Sequence, residues 1–156
     1  MNSIARIFCR VSIFGLFYGS IFFGVVASGQ TNPPYVVVII NAENTAGADN
    51  VSVSQLRNIM LLNKKEWPNG ERATPFFPSE ENAHYDVVLK RFFKMNKRRL
   101  KAHWLELKQR SGTAAPTAYS SDDDMIIAVG SDVGALAIVS ADAVLPKTVK
   151  ILYKVD

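Results

Sequence analysis

The sequence predicts an α/β fold: a single three-layer lobe with a mixed or mostly parallel sheet of about four to five strands, flanked by helices. Three observations predict it. Patterns typical of strands alternate with patterns typical of helices over most of the chain. The first strand pattern is continuously apolar, as in a strand that is covered on both faces. The length that follows an apolar N-terminal segment suits one domain.

The N-terminal segment has the pattern of a secretory signal peptide. Arg6 and Arg10 precede an almost wholly apolar run at 11–27, and small residues at 27–29 offer a cleavage site. An uncleaved membrane anchor is the alternative, because the run approaches the ~20 residues that cross a bilayer. Glycine and serine within the run lower its hydrophobicity and favour cleavage.

Cleavage divides the chain into a signal peptide at 1–29, an exposed segment at 30–34 and one lobe at 35–156. We therefore expect a periplasmic or secreted protein of 127 residues, 29 fewer than the 156 of the chain, that meets the membrane only through its signal segment. The single cysteine, Cys9, lies in that segment, so the exported product would have no thiol and no disulfide.

The first elements follow from hydrophobic periodicity and capping signals. The β-branched run at 35–40 predicts a strand buried on both faces. Ser52 or Ser54 can cap the next helix, and 63–70 is a turn. The apolar stripe of that helix consists of Val53, Leu56, Ile59 and Met60.

The middle of the chain carries its strongest periodic signal. An extended run at 73–77 ends at Pro78, and Ser79 or Asn82 is expected to start a helix. The apolar positions of this helix follow the i, i+3, i+4, i+7, i+8 pattern at Tyr85, Val88, Leu89, Phe92 and Phe93.

After a break near Asn96, another helical stripe ends before Ser111. Its apolar members are Leu100, Trp104 and Leu107. Ser121, with the acidic residues that follow it, predicts a short helix through Val129. Two strands, at 135–139 and 149–155, complete the predicted order.

Taken in order, several segments resemble the phosphate-binding proteins of bacterial ABC transporters, which have the type II periplasmic-binding-protein fold. The strand at 36–41 is followed by Val53–Met60, which runs into Lys65–Gly70 and is similar to a family segment that ends in Trp-Pro-Asp-Gly. Residues 133–139 resemble the Gly-Ala-Ile-Gly-Tyr-Val strand of that family. The resemblance spans about 35–156. It implies a short single-lobe relative, with phosphate or another small oxyanion as ligand and an ABC transporter as partner.

Two differences from the family pattern affect the expected binding. The family places a Ser-Gly-Thr turn after its second strand, where N–H groups and hydroxyls hold the phosphate. Here this position reads Pro78–His84, in which Ser79 keeps a hydroxyl while Glu80 and Glu81 repel an anion. The family also closes two lobes over its ligand. This chain has the residues of one, so enclosure would need a second lobe or a homodimer.

The expected anion-binding residues are polar or flexible positions near the anion turn and at a second Ser-Gly-Thr sequence: Ser79, Asn82, Ser111, Gly112 and Thr113. At 111–113 a glycine can let backbone N–H groups converge on an anion. The favoured alternative is that Gly112 caps the preceding helix.

Seven basic residues fall within the twelve residues 90–101, close to three aromatic ones. Such a cluster is typical of nucleic-acid or acidic-lipid surfaces, but the aromatic residues hold core positions, which favours a solvated outer face. Export would also separate the protein from nucleic acid. We expect an anionic envelope polymer or an acidic envelope protein as partner, with Lys94, Arg98 and Lys101 as the docking residues.

No catalytic residue, metal site or cofactor is predicted. His84 and His103 are nineteen residues apart without ligand spacing, and the acids at 122–124 suit the positive end of a helix dipole. A nucleophile elbow and a recognisable acid/base pair are both missing from the sequence. Three functions stay open. The first is an exported non-enzymatic binding protein for a small oxyanion or an envelope protein, and the second is an envelope scaffold that has lost ligand binding and docks through its basic helix face. The third is a hydrolytic enzyme, for which no residue indicates a substrate.

Overall fold

A four-stranded sheet lies at the centre of the computed structural model, which describes residues 35–45 and 51–155. In spatial order its strands are β2 (Thr74–Pro75), β5 (Ala135–Ser140), β1 (Val36–Asn41) and β6 (Val149–Val155). Two shorter strands, β3 (Phe77–Pro78) and β4 (Ala118–Tyr119), pair with each other in parallel outside this sheet. The predicted signal peptide at 1–29 and the segment at 30–34 lie outside the described residues.

The sheet is mixed, which confirms the predicted fold class. β1 runs antiparallel to both of its neighbours, with Val38 opposite Ile138 of β5 and Tyr153 of β6. β2 runs parallel to β5. The register between β1 and β6 shifts at a bulge beside Val38 and Ile39.

Both faces of β1 are covered, as its continuous apolar run predicts. Val36, Val38 and Ile40 belong to the core on one face, and Val37 and Ile39 to the core on the other. All six residues of the strand are buried. Two layers of helices produce this pattern in an antiparallel strand as readily as in a parallel one.

In the part of the chain that the structure describes, four α-helices and one π-helix form these layers: α1 (Val53–Met60), α2 (Tyr85–Val87), a π-helix (Val88–Phe93), α3 (Lys97–Ser111) and α4 (Asp122–Ser131). α4 packs on one face, and the others contribute to the core on the opposite face. Ser52, Asn96 and Ser121 cap α1, α3 and α4 through their side-chain oxygens. Within the described ranges, no helix has the length and apolar character needed to cross a membrane.

The helix that the sequence predicts from Ser79 or Asn82 begins later, at Tyr85, so that prediction of its start is wrong. Asn82 accepts a hydrogen bond from the N–H of His84 instead of capping a helix, and this side-chain turn delays the first helical residue. The predicted apolar positions are all buried. The helix changes to π geometry at Val88 and ends at Phe93, and the next residue, Lys94, caps it with a left-handed φ of 55°.

Candidate anion-binding site

Residues 79–84, between β3 and α2, occupy the position where the resemblance places an anion turn. The N–H of Ser79 donates to the carbonyl of Tyr119 at 2.7 Å, which continues the β3–β4 pairing. Its hydroxyl donates to the carboxylate of Glu81. Both donors of Ser79 are therefore engaged within the protein.

Asn82 is buried, with 6% of its surface exposed. Its Oδ1 accepts from the N–H of His84 at 2.8 Å, and its Nδ2 donates to Oδ1 of Asp122 at 2.9 Å. The amide group is thus held at both ends. The partner that it reaches comes from the first turn of α4, forty residues further along the chain.

Asp122 places a carboxylate of the protein itself against this turn. Its Oδ2 accepts from the N–H of Ser140 at 2.8 Å and lies 3.4 Å from Nδ1 of His84. We call Asn82, His84, Asp122 and Ser140 the Asp122 centre. The first three also line a concavity of about 230 Å³ at the surface. The hydrogen-bond donors that a bound anion would need at this position, the amide of Asn82 and the N–H of Ser140, therefore already donate to the carboxylate of Asp122.

The two glutamates of the turn differ in their surroundings. Glu80 accepts from Lys97 and Lys101, each at 2.9 Å, and the hydrogen bond from Lys101, followed by that from Lys97, holds the pKa of Glu80 below its usual value. The hydroxyl of Ser79 lowers the pKa of Glu81 in the same direction. Both carboxylates are therefore charged at neutral pH, and the two lysines offset the charge of Glu80.

An aromatic groove of about 310 Å³ lies beside these glutamates. Phe77, Tyr85 and Trp104 contribute to its lining. Burial raises the pKa of the Tyr85 phenol. The aromatic rings that line this groove pack against each other. The Phe77 and Trp104 rings make an edge-to-face contact, with their centroids 5.5 Å apart.

The second group of predicted residues lies at the end of α3. Gly112 has a φ of 67° and donates its N–H to the carbonyl of Lys108 at 2.9 Å, so the helix-capping alternative is confirmed. Oγ of Ser111 lies 2.9 Å from Oγ1 of Thr113, which accepts from Nζ of Lys65 at 3.2 Å. Among the described residues, no hydrogen bond joins this group to Ser79 or Asn82.

The predicted docking residues have unequal environments. Lys101 pairs with Glu80, whereas Lys94 is the C-cap residue of the π-helix and Arg98 lies exposed in the first turn of α3. In the part of the chain that the structure describes, no salt bridge involves Lys94 or Arg98. No set of three or more His, Cys, Asp and Glu side chains within 35–45 and 51–155 is arranged to hold a metal ion.

Sequence reasoning missed Asp122 and Ser140 as members of the centre. Asp122 is indeed in the first turn of a helix, where a carboxylate favours the dipole. Its hydrogen bonds to Asn82 and Ser140 depend on the packing of α4 against β5 and on the β3–β4 pairing. No spacing in the sequence signals them.

Comparison with known proteins bears on the fold. No family model matches the sequence, and no curated protein matches it. A solved structure from Clostridium perfringens, described as a phosphate ABC transporter substrate-binding protein with bound phosphate, is similar with a TM-score of 0.59 and 10% identity, over 76% of this chain and 44% of its own. An ABC-type phosphate transport receptor from Vibrio cholerae is similar with a TM-score of 0.55 and 16% identity, over 76% and 45%.

This chain spans less than half the length of both neighbours. At such low identities the likeness concerns the course of the backbone and not the ligand or the partner. The resemblance inferred from the sequence is confirmed at this level: the chain has the fold of phosphate ABC transporter substrate-binding proteins over a part of their length.

Proposed function

We propose that this protein is an exported, non-enzymatic binding protein, acting in the periplasm or outside the cell, whose ligand is a small oxyanion. The observation that carries the proposal is the shared fold with two phosphate-transport proteins, one of which holds phosphate. The basic and apolar pattern of residues 1–29 supports export. An ABC transporter is the corresponding partner.

The Asp122 centre argues against tight phosphate binding by Ser79 and Asn82. A phosphate at this turn would have to displace Asp122 from Asn82 and Ser140, or lie next to its carboxylate. Two negative groups in contact repel each other strongly where water is partly excluded. We therefore expect weak binding at this turn, and an oxyanion bound tightly would lie elsewhere.

Isothermal titration of the purified protein with phosphate, sulfate and molybdate tests the ligand class. Saturable heat from at least one of them at up to millimolar concentration is the expected result. No heat from any of the three would contradict an oxyanion ligand. Mass spectrometry of the secreted fraction tests export separately, because an intact Met1 there would reject cleavage at 27–29.

The second candidate is an envelope interaction module that docks through its basic helix face. The absence of a salt bridge to Lys94 or Arg98 in the described structure favours it, since both cations are available to an acidic partner. Replacing both by glutamate should abolish capture of a bound envelope protein while the thermal midpoint stays the same. Lys101 is unsuitable for this test because replacing it also breaks its salt bridge to Glu80.

A further inference from the structure

The structure divides the basic cluster at 90–101 into two parts. Lys97 and Lys101 pair with Glu80 and face the acidic turn. The others form no salt bridge within the described residues: Lys90, Arg91, Lys94, Arg98 and Arg99. Within the described structure these five positive charges therefore have no salt-bridge partner, and the sequence alone does not reveal which five.

Three of these side chains meet at one concavity of about 400 Å³. Lys90 comes from the π-helix, Lys94 from its left-handed end and Arg99 from the first turn of α3, and Met95 and Asn96 complete the lining. Between the two helices Lys94 has a left-handed φ of 55°, and the N–H of Met95 donates to the carbonyl of Leu89 at 3.0 Å. This turn brings charges that are nine residues apart in sequence to the same surface.

The surroundings of the concavity add positive potential. α3 begins with three basic residues, at 97–99, and has no acidic residue in its first turn. The positive end of a helix dipole normally attracts acids, so basic residues there are unfavourable in the free protein. Asp86, four residues before Lys90, is exposed and makes no salt bridge in the described part of the chain. An anion bound in the concavity would reduce the repulsion among these basic residues and offset their unfavourable interaction with the helix dipole.

We propose that this concavity binds a multivalent phosphate, a short chain of linked phosphate groups. Three converging cations call for more than one negative charge on the ligand, and an arginine guanidinium binds phosphate oxygens through paired N–H groups. Lysines contribute point charges that adapt to a chain of phosphates. The choice of a phosphate ligand rests on the proposed function, whereas the position of the site does not. This site lies away from the Asp122 centre.

Calorimetric titration with tripolyphosphate, orthophosphate and polyglutamate, at one fixed ionic strength, tests the site. The variant combines Lys90→Gln, Lys94→Gln and Arg99→Gln. The matched control combines Lys64→Gln, Lys108→Gln and Lys147→Gln, which removes the same charge from three exposed positions elsewhere. Thermal midpoints show whether both variants are folded, and the single variants Lys90→Gln and Arg99→Gln serve if the triple variant is not.

We expect the site variant to bind tripolyphosphate at least about tenfold more weakly than the wild type, and the control to change less than about twofold. Affinity should fall as salt is added. If the site variant and the control variant lost the same affinity for tripolyphosphate, the proposed site would be wrong. Equal affinity of the wild type for polyglutamate would overturn the phosphate ligand.

The titrations also separate this inference from the proposed function. If orthophosphate binds and the site variant binds it equally well, while tripolyphosphate shows no preference for the concavity, the oxyanion function stands and the site is wrong. If no oxyanion gives heat, both are wrong.

Discussion

Replacing Asp122 by alanine removes two hydrogen bonds to one carboxylate, from Asn82 at 2.9 Å and from the N–H of Ser140 at 2.8 Å. A hydrogen bond to a charged group contributes about 1.5–3 kcal/mol, and a buried donor left without a partner adds to the loss. Asn82 is 6% exposed and cannot recover its bond from water easily, whereas Ser140 lies nearer the surface. The bond from Asn82 therefore dominates the loss, because water can largely replace the bond from Ser140. We expect Asp122→Ala to lower the free energy of unfolding by about 2–4 kcal/mol, less than the sum for two such bonds.

Urea denaturation followed by tryptophan fluorescence measures this loss, and Asp123→Ala is the matched control. Asp123 lies in the same helical turn, is exposed and shares the favourable dipole interaction, which is worth about 0.3–1 kcal/mol. The difference between the two variants isolates the hydrogen bonds of the Asp122 centre. If Asp122→Ala costs no more than Asp123→Ala, the centre does not stabilise the fold as described.

Three further changes test other parts of the structure. Gly134→Ala should lower the free energy of unfolding by about 2 kcal/mol or more, because a Cβ there would lie 2.3 Å from the carbonyl oxygen of Arg72. Calorimetry measures this loss, and an unchanged thermal midpoint would show that the backbone moves aside without cost. Ser52→Ala should cost about 1 kcal/mol in urea denaturation through loss of the capping box of α1, and no loss would mean that the box contributes nothing. Since the pKa of Glu80 is lowered in the folded state, its ion pairs stabilise the protein above the ordinary carboxyl pKa and are lost as the pH falls through the lowered one. The difference in thermal midpoint between wild type and Glu80→Gln should thus be present at neutral pH and vanish in acid, and a difference that persists in acid would contradict the pairing.

Local pattern was sufficient to predict most of the elements. The continuous run of β1 and the serine caps of α1 and α4 depend on neighbouring residues, and all are observed. The burial of Tyr85 to Phe93 was also predictable, because α and π helices place the same apolar residues on one side. The π geometry was not, since it depends on how the segment packs and on the left-handed end at Lys94.

The candidate sites were less accessible to sequence reasoning, because they depend on contacts between distant residues. The hydrogen bond from Asn82 to Asp122 joins residues forty positions apart in the sequence. Glu80 forms salt bridges with only two of the seven basic residues in the cluster at 90–101. Composition shows that the charges are present. Only the fold decides which of them are paired.

The position of β1 in the sheet has a consequence for the order of folding. This early strand lies between β5 and β6, and Val36 is opposite Val155, more than a hundred positions later. Its backbone groups therefore stay unpaired on both edges until the last two strands are available, and a sheet built from such distant partners forms slowly. A nascent chain would keep β1, its most apolar strand, accessible until β5 and β6 have been synthesised, and a chaperone can recognise such a state.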